Sequence, residues 1–129
     1  MDRNDEFLRA FEDATLPNDC FHHRDHVWVA WRYLRDRPLL EALTRFTESL
    51  KRFAAAHGAT GLYHETITWA YFFLIHERMA AGSEDETWEA FAARNPDLFT
   101  WKPSLLDSYY RPETLSSHQA RRFFLMPDL

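Results

Sequence analysis

The sequence predicts an all-α protein, and three observations support this fold class. Only three glycines and six prolines interrupt the 129 residues. Between these breaks the apolar residues recur every three or four positions, which is typical of one helix face and not of a strand. The apolar fraction of 46%, with 11 Phe, 5 Trp and 5 Tyr, is enough to fill a core. We therefore expect a single compact domain over residues 1–129, with about five or six helices.

Breaks in the apolar pattern place three helices in the first half of the chain. The first is expected to end near Leu16, because the proline that follows disfavours a helical conformation for the residue before it. Pro38 suits the first turn of the third helix, and Gly58 lies beyond its end. The predicted helices cover Asp5–Ala14, Phe21–Arg35 and Pro38–Ala56.

The second half begins with the most hydrophobic segment of the chain. Residues 61–81 contain the run ITWAYFFLI, which is apolar on nearly every side of a helix, so we expect this fourth helix to be central and the most buried. Ser83 and Glu86 match a capping box that would begin a fifth helix, ended by Asn95 and Pro96. Two short helices are expected at residues 104–110 and 116–125.

Charge and composition exclude several classes of function. The 20 acidic and 15 basic residues give a net charge of −5, and the basic residues are scattered, so we expect no nucleic-acid partner. No signal-peptide pattern opens the sequence and no apolar run is long enough to span a bilayer, so we expect no membrane association and a cytoplasmic location. The single cysteine, Cys20, cannot form an internal disulfide.

The segment FHHRDH places three histidines and an aspartate at the start of the second predicted helix. At 100° per residue, His23 continues the inward stripe of that helix and His26 lies at its edge. His22 and His26 are four residues apart, and imidazoles at this spacing can bind one metal ion. Asp25 would orient an imidazole from outside the ligand set.

A fourth histidine, His64, opens the fourth predicted helix beside Glu65. Thr68, Phe72 and Ile75 share its face, so we expect His64 to point into the protein. Burying imidazoles and a carboxylate without partners would cost several kcal/mol. We therefore expect the two polar helix starts to meet in one pocket.

These residues suggest a small metal-dependent enzyme, hydrolytic or oxidative, that acts on a small-molecule substrate. Glu65 would be the general base or a fourth ligand, and three protein ligands would leave a coordination position open for chemistry. His23 and Asp25 would assist at the same site. The metal would be a divalent transition metal, zinc or iron above all. Its ligands would be His26, His64 and either His22 or His23.

The alternative is a non-catalytic module that binds a small molecule or another protein. In this interpretation the same histidines form a metal-free hydrogen-bonded network with Asp25, Glu65, Tyr63 and Thr66 or Thr68, and this network ties helices together. An aromatic surface would then recognise a ligand or a second copy of the chain, which would make the protein a homodimer.

Three segments, FHHRDHVWVAW, YHETITWAY and ARRFFLMPDL, resemble a family of small bacterial proteins, and the resemblance extends from Phe21 to Leu129. It implies a stand-alone helical domain and carries no activity, substrate or cofactor. Two better-understood classes depart from the pattern. Helical metal-dependent hydrolases use an HD dipeptide, which HHRDH does not contain, and the three-histidine helical bundle enzymes space their histidines differently.

Overall fold

The structure is a computed structural model that describes residues 3–129, and every regular element in that range is a helix. The all-α prediction is confirmed. The contacts divide the chain between Tyr63 and His64 into two compact units, which are described in turn. Within residues 3–129, no helix is both long and apolar enough to cross a membrane.

The first unit contains three helices, α1 (Arg3–Glu12), α2 (His23–Asp36) and α3 (Leu39–Ala56). A short 3-10 turn at Asn18–Cys20 precedes α2, and another at Thr60–Leu62 follows α3. Both α1 and α2 pack against α3. All three helices were predicted, because each has an apolar stripe that has to be buried.

Three phenylalanine rings from separate parts of the first unit form its core. Phe11 on α1 stacks on Phe21 with 4.5 Å between ring centroids, and both rings meet Phe53 of α3, at 5.6 and 5.1 Å. All three side chains are buried. Burying one such side chain stabilises a fold by about 1.5–3 kcal/mol, so this cluster joins the ends of α1 and α3 to Phe21 in the loop before α2.

A single glutamate, Glu12, connects the three helices of the first unit. Its carboxylate accepts hydrogen bonds from the buried Tyr33 hydroxyl of α2 at 2.5 Å and from Arg45 Nε of α3 at 3.1 Å. Its main-chain carbonyl accepts a bond from Arg52 at 2.8 Å. Burial and then the bond to Glu12 raise the pKa of Tyr33. The tyrosine therefore stays a hydrogen-bond donor at any ordinary pH.

The first helix ends two residues earlier than the predicted Ala14. Ala14 has a positive φ of 59°, which turns the chain out of the helix. The amides of Thr15 and Leu16 then both donate to the carbonyl oxygen of Ala10, at 2.9 and 3.1 Å. These two bonds close the helix end in the way that a C-terminal cap does.

The second unit contains α4 (Glu65–Ala80), α5 (Trp88–Arg94), α6 (Pro112–Leu115) and α7 (His118–Arg122). Two 3-10 segments, Pro96–Phe99 and Leu105–Ser108, lie between α5 and α6. The longest helix of this unit, α4, packs against α7 and against the second 3-10 segment. Its buried residues are Thr66, Ala70, Tyr71, Phe72, Leu74 and Ile75.

The predicted start of the fifth helix at Ser83 is wrong. The helix begins at Trp88, and Thr87 is its N-cap, with its hydroxyl accepting the amide of Ala90 at 3.2 Å. Glu86 does not cap the helix, because its carboxylate accepts two hydrogen bonds from Arg94, each 2.8 Å long. The bonds to Arg94 lower the pKa of Glu86. A competing bidentate ion pair therefore overrides the local capping pattern.

The tail also differs from the prediction. Residues 104–110 contain only the short Leu105–Ser108 turn, and α6 was not predicted. The helix expected at residues 116–125 is shortened to α7, which starts where Ser117 caps the amide of Ala120 at 3.0 Å. It stops at Arg122, and residues 123–129 are not helical. We call residues 123–129 the strap.

Candidate functional site

The start of α2 is capped by the aspartate of the histidine-rich segment. The helix begins at His23 and not at the predicted Phe21, because His22 is extended. The Asp25 carboxylate accepts the main-chain amide of His22 at 2.9 Å, and the Asp25 amide donates to the His22 carbonyl at 2.9 Å. Asp25 thus satisfies an amide that the helix leaves unpaired and lies at the positive end of the helix dipole. The His22 side chain itself is exposed.

His26 lies one turn into α2 and packs against an aromatic ring. Its imidazole is 4.3 Å from the Phe21 ring, centroid to centroid, at 39° between planes. Burial and the neighbouring His23 lower the pKa of His26 from 6.5 to about 3. A neutral imidazole is therefore the form that this packing accommodates. The side chain of His23 is partly exposed.

The start of α4 is capped by the imidazole of His64. The helix begins at Glu65 and not at the predicted Gly61, since His64 is extended and its Nδ1 accepts the amide of Ile67 at 3.1 Å. Its Nε2 lies 2.7 Å from the carbonyl oxygen of Leu115. Because Nδ1 accepts an N–H, the ring proton is on Nε2, which donates to Leu115. Both nitrogens of this buried side chain are therefore engaged within the second unit.

The six residues proposed for the metal site fall in different units. His22, His23, Asp25 and His26 belong to the first unit, and His64 and Glu65 to the second, where Glu65 lies partly exposed in the first turn of α4. In the described part of the chain, residues 3–129, no three or more His, Cys, Asp or Glu side chains form a group that could hold a metal ion.

The remaining histidines have local roles or lie at the surface. The Nε2 of His57, the residue that follows α3, is 2.9 Å from the carbonyl oxygen of Leu16, and its ring packs on Phe53 with 4.6 Å between centroids. His57 therefore joins the end of α3 to the loop after α1. His76 and His118 are exposed.

Sequence reasoning placed Thr66 in a possible network with the histidines and missed its observed role as the main anchor for the strap. This fully buried hydroxyl lies 2.7 Å from the carbonyl oxygens of Ala120 and Phe123 and donates to one of them at a time. It also accepts the amide of Leu125 at 3.1 Å. The one available signal was a threonine in the first turn of a very apolar helix, since a buried hydroxyl needs a partner.

Two further anchors hold the strap. The hydroxyl of Tyr110 donates to the carbonyl oxygen of Leu125 at 2.7 Å. The Asp128 carboxylate accepts bonds from the Thr114 hydroxyl and, at 2.9 Å, from the Arg111 amide. These two bonds, in that order, lower the pKa of Asp128. The strap is thus fixed at its beginning, its middle and its end.

An aromatic pair on α4 receives the ring of Phe124 from the strap. The ring stacks on Trp69 at 5.6 Å and 22°, and meets Phe73 edge-on at 5.5 Å and 89°. We call Trp69 and Phe73 the aromatic seat. The indole Nε1 of Trp69 is buried and has no hydrogen-bond partner among residues 3–129.

The other large apolar side chains of the strap point into water. Phe123, Met126 and Leu129 are 55%, 74% and 66% exposed. The first unit also exposes single leucines, Leu40 at 74% and Leu62 at 78%, but these are 22 positions apart in sequence. The strap is therefore the part of the chain where exposed apolar side chains follow one another most closely.

No protein-family model, no curated protein and no solved structure matches the chain. The resemblance to a family of small bacterial proteins therefore stays a prediction.

Proposed function

We propose that this chain is a non-catalytic protein-interaction module that recognises a second copy of itself. The observation that carries this proposal is the exposure of Phe123 and Met126 on a strap whose backbone is fixed by hydrogen bonds. An ordered backbone presents these side chains at little further cost in conformational entropy, which favours binding. Large exposed apolar groups close together on an ordered segment are typical of interaction surfaces.

A second copy is the partner that this surface fits best. In a two-fold dimer the same patch meets itself, so an apolar patch pairs with an apolar patch without any other complementary sequence. Closed dimers of this kind are the commonest assemblies of identical chains. The predicted homodimer thus becomes a specific proposal about the strap.

The state of the histidines supports a module without metal chemistry. A metal ligand needs an imidazole lone pair, and His64 uses Nδ1 to accept the Ile67 amide while Nε2 carries a proton. Binding a metal through His64 would require breaking one of these two bonds. Asp25, proposed as an orienting group, is engaged in capping α2. His64 and Asp25 are therefore engaged in hydrogen bonds that need no metal.

Light scattering on a size-exclusion column, over a wide range of protein concentration, tests the proposal. The mass should rise towards that of a dimer, and Phe123→Ser with Met126→Ser should weaken dimerisation at least about tenfold, or about 1.4 kcal/mol. The matched control is Leu40→Ser with Leu62→Ser, which removes side chains at least as exposed from the first unit and should leave the dimer unchanged. A monomer at every concentration would end the proposal.

The metal-dependent enzyme remains the competing hypothesis, and thermal unfolding in the presence of added Zn²⁺ or Fe²⁺ distinguishes the two. The interaction module predicts the same unfolding temperature with and without metal. A metal that binds the folded state raises that temperature. A rise that disappears in both His26→Ala and His64→Ala would favour the enzyme.

A further inference from the structure

We infer that two copies recognise each other by exchanging the strap, so that residues 124–129 of each chain occupy the anchors and aromatic seat of the other. This inference rests on the proposed self-recognition and adds its mechanism. In the single chain, the strap follows α7 directly and lies on its own seat. In the exchanged pair, the change of direction would occur at Phe123, the first residue after α7.

The first argument is that the strap is held by a few separate anchors. Its bonds go to the side chains of Thr66 and Tyr110, to the main chain of Tyr109 and Arg111, and to the Thr114 hydroxyl. No helix or sheet ladder of its own has to be broken when it leaves. Release therefore requires only the opening of local contacts, which are the least stable part of a fold.

The second argument is that the seat has to be filled. Thr66 is fully buried and partners two positions in the strap, Phe123 and Leu125. An empty seat would leave this hydroxyl without those bonds and uncover the rings of Trp69 and Phe73. An identical strap from a second copy restores the bond from Leu125 and covers both rings with Phe124 again, which is why exchange of an identical element is a low-cost route to dimers.

The third argument is the exposure of Phe123, at the point where the chain would turn. In the single chain this ring is 55% exposed, and the guanidinium of Arg122 lies 5.4 Å from its centroid. Exchange brings the two turning points together around the two-fold axis, where the two Phe123 rings can cover each other. The Phe123 ring is then buried in the pair but not in the single chain, and this burial favours the pair.

The charges next to the turning point oppose this pairing at low salt. Arg122 ends α7 directly before the turning point, so in the exchanged pair its charge would approach that of Arg122 in the other copy. Like charges on two copies repel each other, and salt screens that repulsion. Exchange should therefore increase when salt is added, whereas a dimer held by ion pairs would weaken.

Disulfide trapping between two full-length variants tests the exchange, with Cys20→Ser in every chain so that only new cysteines react. One variant carries Thr114→Cys and the other Asp128→Cys, at positions whose side chains are hydrogen-bonded to each other. In the mixed sample a disulfide between the two positions can form only between chains. We expect at least about ten times more linked dimer in the mixture than in either variant alone.

The double variant Thr114→Cys with Asp128→Cys is the positive control, because it can close its own disulfide in a single chain. Tyr109→Cys mixed with Leu129→Cys repeats the test at a second contact, where the Leu129 amide donates to the Tyr109 carbonyl at 3.1 Å. If the Cys20→Ser chain dimerises but neither mixture is linked above its single variants, the exchange is wrong and self-recognition stands. If no sample contains a dimer, both proposals fail.

Discussion

The starts of α2 and α4 both have a histidine as the last residue before the helix, yet they are capped by different groups. At α2 the cap is the Asp25 carboxylate, and the His22 side chain is exposed to solvent. At α4 the cap is the imidazole of His64, which is buried and also bonded to Leu115. A histidine before a helix is therefore a structural group only where a second partner fixes its ring.

The difference follows from what lies three residues further along the chain. Asp25 occupies the third helical position of α2 and reaches back to the His22 amide, as the acidic residue of a capping box does. The equivalent position of α4 is Ile67, which has no polar side chain that could reach back to the His64 amide. Like every amide in the first turn of a helix, the Ile67 amide needs an acceptor from outside the helix. His64 Nδ1 supplies that acceptor.

The largest expected effect is at His64. His64→Ala should lower the free energy of unfolding by about 3 kcal/mol, because it removes a buried cap and leaves the part-buried Leu115 carbonyl without its donor. Urea denaturation measures this loss. His64→Asn is the matched control, since an asparagine oxygen can accept the Ile67 amide but cannot reach Leu115, and it should recover about 1 kcal/mol. An alanine variant as stable as the parent would contradict a structural role for His64.

The next effect is a pH dependence at the start of α2. The folded-state pKa of His26, about 3, lies below the unfolded value of 6.5, because burial and His23 disfavour the charged ring. Between these two values the unfolded chain binds a proton on His26 and the folded chain does not. The free energy of unfolding therefore decreases as the pH falls from 6.5 towards 3. From about pH 7 to about pH 5 this loss is about 2 kcal/mol.

Urea unfolding at several pH values, compared with His26→Phe, measures this contribution. Phenylalanine can keep the ring contact with Phe21 and cannot take up a proton. The variant should therefore lose less stability than the parent over the same pH interval. Parallel pH profiles for the two proteins would show that His26 does not titrate in this way.

The smallest effect is expected at the other cap. Asp25→Ala should destabilise the protein by about 1 kcal/mol, because the His22 amide can find water in place of the carboxylate. Asp25→Asn keeps a side-chain oxygen, so its free energy of unfolding should lie between those of the parent protein and of Asp25→Ala. If Asp25→Ala cost as much as His64→Ala, the contrast between an exposed and a buried cap would be wrong.

The positions of the first four helices could be predicted because burial leaves a local signature. Apolar residues such as Leu43, Phe46, Leu50 and Phe53 share one face of α3, and all four are buried. The ends of helices were less predictable. Ala14 leaves α1 through a positive φ, and Glu86 pairs with Arg94 in place of capping a helix. Neither event is determined by the nearest neighbours in sequence alone.

The candidate site shows the same limit more clearly. The sequence identified His22 and His64 as residues at helix starts, and both lie directly before a helix. It could not predict how His64 is used, because the second partner, Leu115, is 51 residues away. The strap was missed for the same reason, since Thr66 finds its partners in residues 120–125.

The long separation between Thr66 and its partners has a consequence for folding during protein synthesis. The first unit has all its residues once Tyr63 has been made, so its helices can pack while the ribosome is still adding the rest. Thr66 has to wait for Leu125, and until then α4, with its run of aromatic residues, has no strap to cover it. Nascent chains stalled before Leu125 should therefore be the ones that chaperones bind most strongly.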